Sequence, residues 1–115
     1  MRIYVAGPYS PVEVEGNNKI VVAARNVNRA IEIAIELIKK GHNPFVPHLN
    51  HYISIHEGCP LNVPWYKLDY SFVDHWAEGL FYIGHSYGAD LELARAKKLG
   101  LKIFYSLEEV PNESK

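Results

Sequence analysis

The sequence predicts an α/β fold, a parallel sheet of about four to five strands with helices on both faces. Three observations predict it. Short β-branched and aromatic runs alternate with helical patterns, in the order β-α-β-loop-α-β-α-β. Glycine or proline punctuates most of the boundaries. The chain has 115 residues, 48% of them hydrophobic and 22% charged, which suits one domain over residues 1–115 with one buried core.

Residues 2–6 (RIYVA) form a short buried strand, stopped by Gly7-Pro8. A polar loop, Tyr9 to Asn18, follows where a ligand-covering loop would sit. From about Asn18 to Lys40 the pattern is helical: Ile20, Ala24, Val27, Ile31, Ala34 and Ile38 recur at alternating steps of four and three. Arg25, Arg29, Glu32, Glu36 and Lys39 fall largely on other faces, and Glu36 and Lys40 make an i,i+4 pair. Gly41 supplies the C-terminal cap, with Pro44 shortly beyond.

Residues 43–46 (NPFV) read as a second strand, with Pro44 at its start or at an edge. Pro47 to Pro64 has no sustained period and reads as a long loop. Trp65 to about His75 is a second helix, with Leu68, Phe72 and Trp76 roughly on one face. Residues 80–83 (LFYI) form a third strand, closed by Gly84. His85-Ser86-Tyr87-Gly88 reads as a tight turn. Ala89 to Leu99 is a third helix with Ala89, Leu93 and Ala96 inward, capped by Gly100. Leu101 to Tyr105 is a fourth strand, and the tail Asn112 to Lys115 is expected to fray. The arrangement is a three-layer, flavodoxin/Rossmann-like one. Ligands of such sheets bind outside the carboxyl ends of the strands, where strand order reverses. A site is therefore expected between the Gly7-Pro8-Tyr9-Ser10 turn and the Gly84–Gly88 turn.

Composition narrows the partners. Net charge is −1 with no basic stripe, which argues against nucleic acid polymers or an anionic membrane as the main partner. No apolar run approaches the ~20 residues of a membrane span. The N-terminus enters a strand pattern directly, unlike a signal peptide, and Cys59 is the single cysteine. A cytoplasmic, reducing location is the expectation.

The segment GHSYGADLELARA, from Gly84 to Ala96, carries the most chemistry. Its glycines let backbone N–H groups approach a ligand, and the helix start behind them favours an anion. Ser86 stands near the N-cap, where its hydroxyl can cap the helix or bind a phosphate. Glu92 lies on the first or second turn, where the helix dipole favours the ionised carboxylate by ~0.3–1 kcal/mol. An ionised carboxylate facing a sugar is what a glycosidic nucleophile requires. The other reading of Glu92 is an exposed residue paired with Arg95 at i,i+3.

The runs IYVAGPYS and FVPH, the helix residue Asp69 and the run SYGADLELARA together resemble the nucleoside 2-deoxyribosyltransferase superfamily. That superfamily includes the 2'-deoxynucleoside 5'-phosphate N-hydrolases. The resemblance spans Met1 to about Tyr105, and its most specific part is the S-x-G-A-x-x-E run. It implies that Glu92 attacks the anomeric carbon and that Asp69 assists protonation of the departing base. It implies that Tyr4 positions the nucleophile. Ser86 is the discriminating position: the transferases hold an aspartate there for a free 5'-hydroxyl, the N-hydrolases a serine for a 5'-phosphate. Serine beside a helix N-terminus suits a phosphate, and aspartate would repel one. The arginine that the N-hydrolases carry soon after the first glycine is missing, because Pro8, Tyr9 and Ser10 stand there. Relatives assemble as dimers or larger, so a homo-oligomer is implied.

The expected function is thus N-glycosidic cleavage of a (deoxy)nucleoside 5'-monophosphate, without a cofactor. Base exchange and a non-catalytic nucleotide-binding module are the alternatives. The catalytic residues would be Glu92, Asp69 and Tyr4, with Asp74 as fallback for Asp69. Gly7, Tyr9, Ser10, His48, Ser86 and Gly88 would contact substrate, and Arg25 or His48 could turn toward a phosphate. His48, His51, His56, His75 and Cys59 have no familiar metal-ligand spacing, so no metal is expected. Trp65, Tyr66 and Tyr70 can stack on a base or pack in the core.

Overall fold

The computed structural model describes residues 1–9, 18–50, 53 and 65–115, the first three residues of the opening helix as backbone only. Strand β1 is Arg2–Ala6, helix α1 Asn18–Lys39 and strand β2 Asn43–Phe45. Helix α2 (Trp65–His75), strand β3 (Gly79–Tyr82), helix α3 (Tyr87–Lys98) and strand β4 (Lys102–Phe104) complete the order. All strand pairs are parallel, in the order β2-β1-β3-β4. The connection from β1 leads to β2 on one side, whereas the later strands lie on the other. Strand order therefore reverses between β1 and β3, and a crevice opens at their carboxyl ends.

Alternation along β1 distributes side chains to two cores. Ile3 and Val5 join Ala30, Ile33, Ala34 and Leu37 of α1, with Phe81 and Phe104. Tyr4 and Ala6 face the other way, with Val73 of α2 and Ala89 and Ala96 of α3. The sheet is thus the middle of three layers. Phe45 stacks on Phe72 at 3.8 Å between ring centres, and Tyr4 and Trp76 close around Phe45 at 5.8 and 6.2 Å. No helix among the described residues is long and apolar enough to cross a membrane.

Several local expectations are corrected. The buried stripe of α1 is Ala23, Val27, Ala30, Ile33, Ala34 and Leu37, whereas Ala24 and Ile38 are exposed. Apolar residues cover more than half the circumference of α1, so periodicity alone does not fix its rotation. The sheet selects the face on which Ala30 permits close approach. Glu36 pairs with Lys39 at 3.3 Å instead of Lys40, whose Nζ donates to the Val110 carbonyl. Leu68 is exposed, and α2 turns Phe72 and Val73 toward the core. Pro47–Leu49 is a 3-10 turn, with Pro47 preset at its start, where a loop was expected. Strand β3 begins one residue early, at Gly79, and its pairing with β1 continues through the Ile83 N–H donated to Ala6. Tyr87 and Gly88 are helical, because Ser86 caps the helix directly before them.

The tail does not fray. The Glu113 N–H donates to the Lys40 carbonyl at 2.7 Å, and His42 Nε2 donates to the Pro111 carbonyl at 2.7 Å. Gly41, at φ +91°, lets α1 end in a six-to-one hydrogen bond from the His42 N–H to the Leu37 carbonyl at 3.0 Å. A Cβ on Gly41 would stand 2.6 Å from the Glu113 backbone. The last residues are therefore held against the turn between α1 and β2.

Candidate active site

Glu92 lies on the second turn of α3, on the same inward stripe as Ala89 and Ala96. That stripe packs on the sheet, so the carboxylate is carried under the protein surface and is 9% exposed. Tyr4, in the middle of β1 and fully buried, donates its hydroxyl to Glu92 Oε2. A central strand and a helix that both belong to the core hold the two groups together. Burial, opposed by the Tyr4 hydrogen bond and helped by the nearby Asp69, brings the Glu92 carboxyl up to about 7. The dipole was expected to keep this group ionised, but its influence fades beyond the first turn and burial outweighs it. Burial and the facing carboxylates likewise hold the Tyr4 phenol protonated, far above its usual range.

Asp69 faces this pair from α2, and burial pushes its carboxyl up to about 6. Asn50 Nδ2 donates to Asp69 Oδ1 at 3.3 Å. Two carboxyls that titrate near neutrality therefore share a partly desolvated space, with one phenol donating into it. The alternative pairing of Glu92 with Arg95 is not formed. Arg95 instead makes a two-pronged contact to Asp74 at 2.5 and 2.6 Å, with its guanidinium over the Tyr70 ring at 4.6 Å. That contact holds the Asp74 carboxyl below its usual range, and Asp74 is thereby removed as a substitute for Asp69. Tyr70 is close enough for Glu92 to raise its phenol in addition to burial, whereas Tyr66 is mostly exposed.

The turns that flank the crevice show what each expected contact does. Ser86 is the N-cap of α3, and its Oγ accepts the Ala89 N–H at 3.0 Å. The hydroxyl proton remains available to donate. Gly88 is exposed, and a Cβ built there meets nothing within 4 Å, so the space beside it is open. Gly7 has a packing reason to be glycine, since its Cβ would stand 2.8 Å from Ile83 Cβ. The Gly7 carbonyl accepts from His48 Nε2 at 3.2 Å. His48 is 3% exposed, burial lowers its pKa, and Nδ1 is buried with no hydrogen-bond partner. It is a neutral imidazole and brings no charge to a phosphate. The Tyr9 carbonyl accepts from Asn26 Nδ2 at 3.1 Å, and the Tyr9 ring meets His48 edge-on at 6.5 Å. Ser10, His51, His56 and Cys59 lie outside the described residues. Among the described residues no three of His, Cys, Asp or Glu are grouped to hold a metal ion.

A groove of about 300 Å³ lies at the crevice, lined by Pro8, Arg25, Asn26, Arg29, Ile83 and Gly84. It occupies the expected place between the two turns, on the α1 side of the sheet, whereas Glu92 is on the other side. A second groove, of about 360 Å³, is lined by Asp74, His75, Arg95, Lys98 and Leu99, away from the strand ends. Comparisons with known protein families, characterised proteins and solved structures find no match.

Sequence reasoning did not single out Asn50 and Arg29. Neither lies in a motif, and each reaches the site through the crossovers of the sheet. The only available signal was position: Asn50 comes just after the carboxyl end of β2, and Arg29 one helical turn after Arg25.

Proposed function

We propose that the chain cleaves the N-glycosidic bond of a (deoxy)nucleoside 5'-monophosphate, releasing free base and sugar phosphate. One observation carries this reading: the buried Tyr4–Glu92 hydrogen bond, faced by the second carboxyl of Asp69. Tyr4 occupies Oε2 and leaves Oε1 of Glu92 for the anomeric carbon. As the carbon–oxygen bond forms, the carbon–nitrogen bond breaks and its electron pair leaves with the base, which takes a proton from Asp69. Water then attacks the same carbon, Asp69 accepts its proton, and the Glu92 carboxylate is released. The two carboxyls titrate near 6 and near 7 and so share one proton close to neutrality; the reactive arrangement is the tautomer with the proton on Asp69 and the charge on Glu92, which the Tyr4 hydrogen bond favours against burial. The resemblance to nucleoside 2-deoxyribosyltransferases and 5'-phosphate N-hydrolases supports the same roles, and Ser86 with the start of α3 favours a phosphate over a free hydroxyl.

The test incubates the protein with nucleosides and 5'-monophosphates and follows free base by chromatography. Release from monophosphates is expected, together with loss of at least about a thousandfold in Glu92→Ala, as for removal of a covalent nucleophile. Exchange that appears only with an added acceptor base would assign the transferase reaction. Binding without any base release would make the chain a nucleotide-binding module. Full activity in Glu92→Ala would remove the proposed mechanism.

A further inference from the structure

We propose that Arg25 and Arg29 of α1 form the anion site of this protein and bind the phosphoryl group of its nucleotide ligand. Both line the groove at the carboxyl ends of β1 and β3, above an uncharged floor of Pro8, Ile83 and Gly84. The sequence holds four arginines. Arg2 reaches Glu78 at 3.7 Å and Arg95 grips Asp74 at 2.5 Å. Among the described residues, Arg25 and Arg29 have no carboxylate partner. The two arginines without a carboxylate partner among the described residues are thus neighbours at one groove, and that groove is where α/β sheets take their ligands.

Their spacing is i,i+4, which places two like charges on adjacent turns, where they repel. A phosphate dianion between them would turn that repulsion into two charge-assisted, fork-shaped contacts. Asn26, between the two, donates to the Tyr9 carbonyl and ties the turn after β1 to α1, which fixes one wall of the groove. Pro8 lies four residues beyond Tyr4, and Gly84 opens the turn that leads to Ser86 and Glu92. A nucleotide laid over the end of β1 would place its sugar on the Glu92 side and its phosphate on the arginine side. The arginines supply the positive charge that neutral Ser86 and neutral His48 lack. The role in turnover and the identity of the ligand as a nucleotide rest on the glycosidase reading, whereas binding of a phosphoryl group by the two arginines does not.

The test is calorimetric titration of Glu92→Gln with 2'-deoxynucleoside 5'-monophosphates, the matching nucleosides and inorganic phosphate, repeated with Arg25→Gln and Arg29→Gln added. Monophosphates should bind about tenfold or more tighter than nucleosides, and the arginine substitutions should erase that difference. Inorganic phosphate binding lost in the same variants also supports the site. The side chains are exposed and have no carboxylate partner among the described residues, so the glutamines should leave the melting temperature unchanged or higher. Unchanged monophosphate preference in the double arginine variant overturns the proposal, as does absence of any preference, or of any binding, before substitution. Base release that ignores the arginines would leave the glycosidase standing without this site. Phosphate-selective binding without base release would leave this site standing without the glycosidase.

Discussion

Tyr4 gives up a fully buried hydroxyl to a carboxylate that would cost less in water, and the two make sense as a unit. Replacing Tyr4 with phenylalanine keeps the ring against Phe45 but removes the one hydrogen bond that favours charge on Glu92. The mechanism needs one proton on the pair of carboxyls. Activity should therefore fall below about 6, where both protonate, and above about 7, where both ionise. A narrow bell in kcat/KM is expected, measured across buffers of constant ionic strength. Tyr4→Phe should lower its height by roughly 10- to 100-fold and move the Glu92 ionisation upward. A flat profile in the same range would separate these carboxyls from the chemistry. Tyr4 and Glu92 were legible as candidates because their motif neighbours, IYVAGP and S-x-G-A-x-x-E, are local. Their hydrogen bond was not, since it joins residues 88 positions apart.

At the scale of the elements, helix starts and stops followed local chemistry and were read closely from the sequence. Gly41 and Gly100 end α1 and α3 at φ +91° and +76°. The inward face of α1 was misplaced, because an apolar circumference wider than one stripe leaves rotation to tertiary packing. The start of α3 lies two residues before the sequence suggests, because Gly88 has a poor helix propensity and reads as a turn residue while the Ser86 cap has already begun the helix. The two capping glycines offer a matched comparison. Gly100→Ala meets only the cost of a left-handed backbone, about 1–2 kcal/mol, since nothing lies within 4 Å of its Cβ. Gly41→Ala must also displace the Glu113 backbone from 2.6 Å. It should therefore lower the urea midpoint further than Gly100→Ala, with base release unaffected in both. Equal losses would mean that the tail contributes nothing to the turn between α1 and β2.

For the whole molecule, the proposed site acts against stability. Asp69 and Glu92 have folded pKa values of about 6 and about 7, above the ordinary carboxylate range of 3.8 to 4.5. The native state thus binds more protons than the unfolded chain between these values. Stability is fully present below the ordinary carboxylate values of 3.8 and 4.5, falls as pH rises above them, and the loss is complete once pH has passed the folded values of about 6 and about 7. Glu92→Gln removes the buried charge while keeping its shape. It should raise unfolding free energy at alkaline pH by about 1–3 kcal/mol, with the gain vanishing in acid. Denaturant melts at two pH values check this, and a gain of equal size at both would assign it to packing.

Strand β1 serves as a ruler for both cores and for the proposed chemistry. Odd positions Ile3 and Val5 anchor α1, and even positions Tyr4 and Ala6 face α2 and α3. Deleting or inserting a single residue there would swap the two sets, pushing the phenol into the aliphatic side and stranding Glu92 without its donor. Substitutions can accumulate along this strand. Insertions and deletions cannot, because each one exchanges the two faces of the sheet.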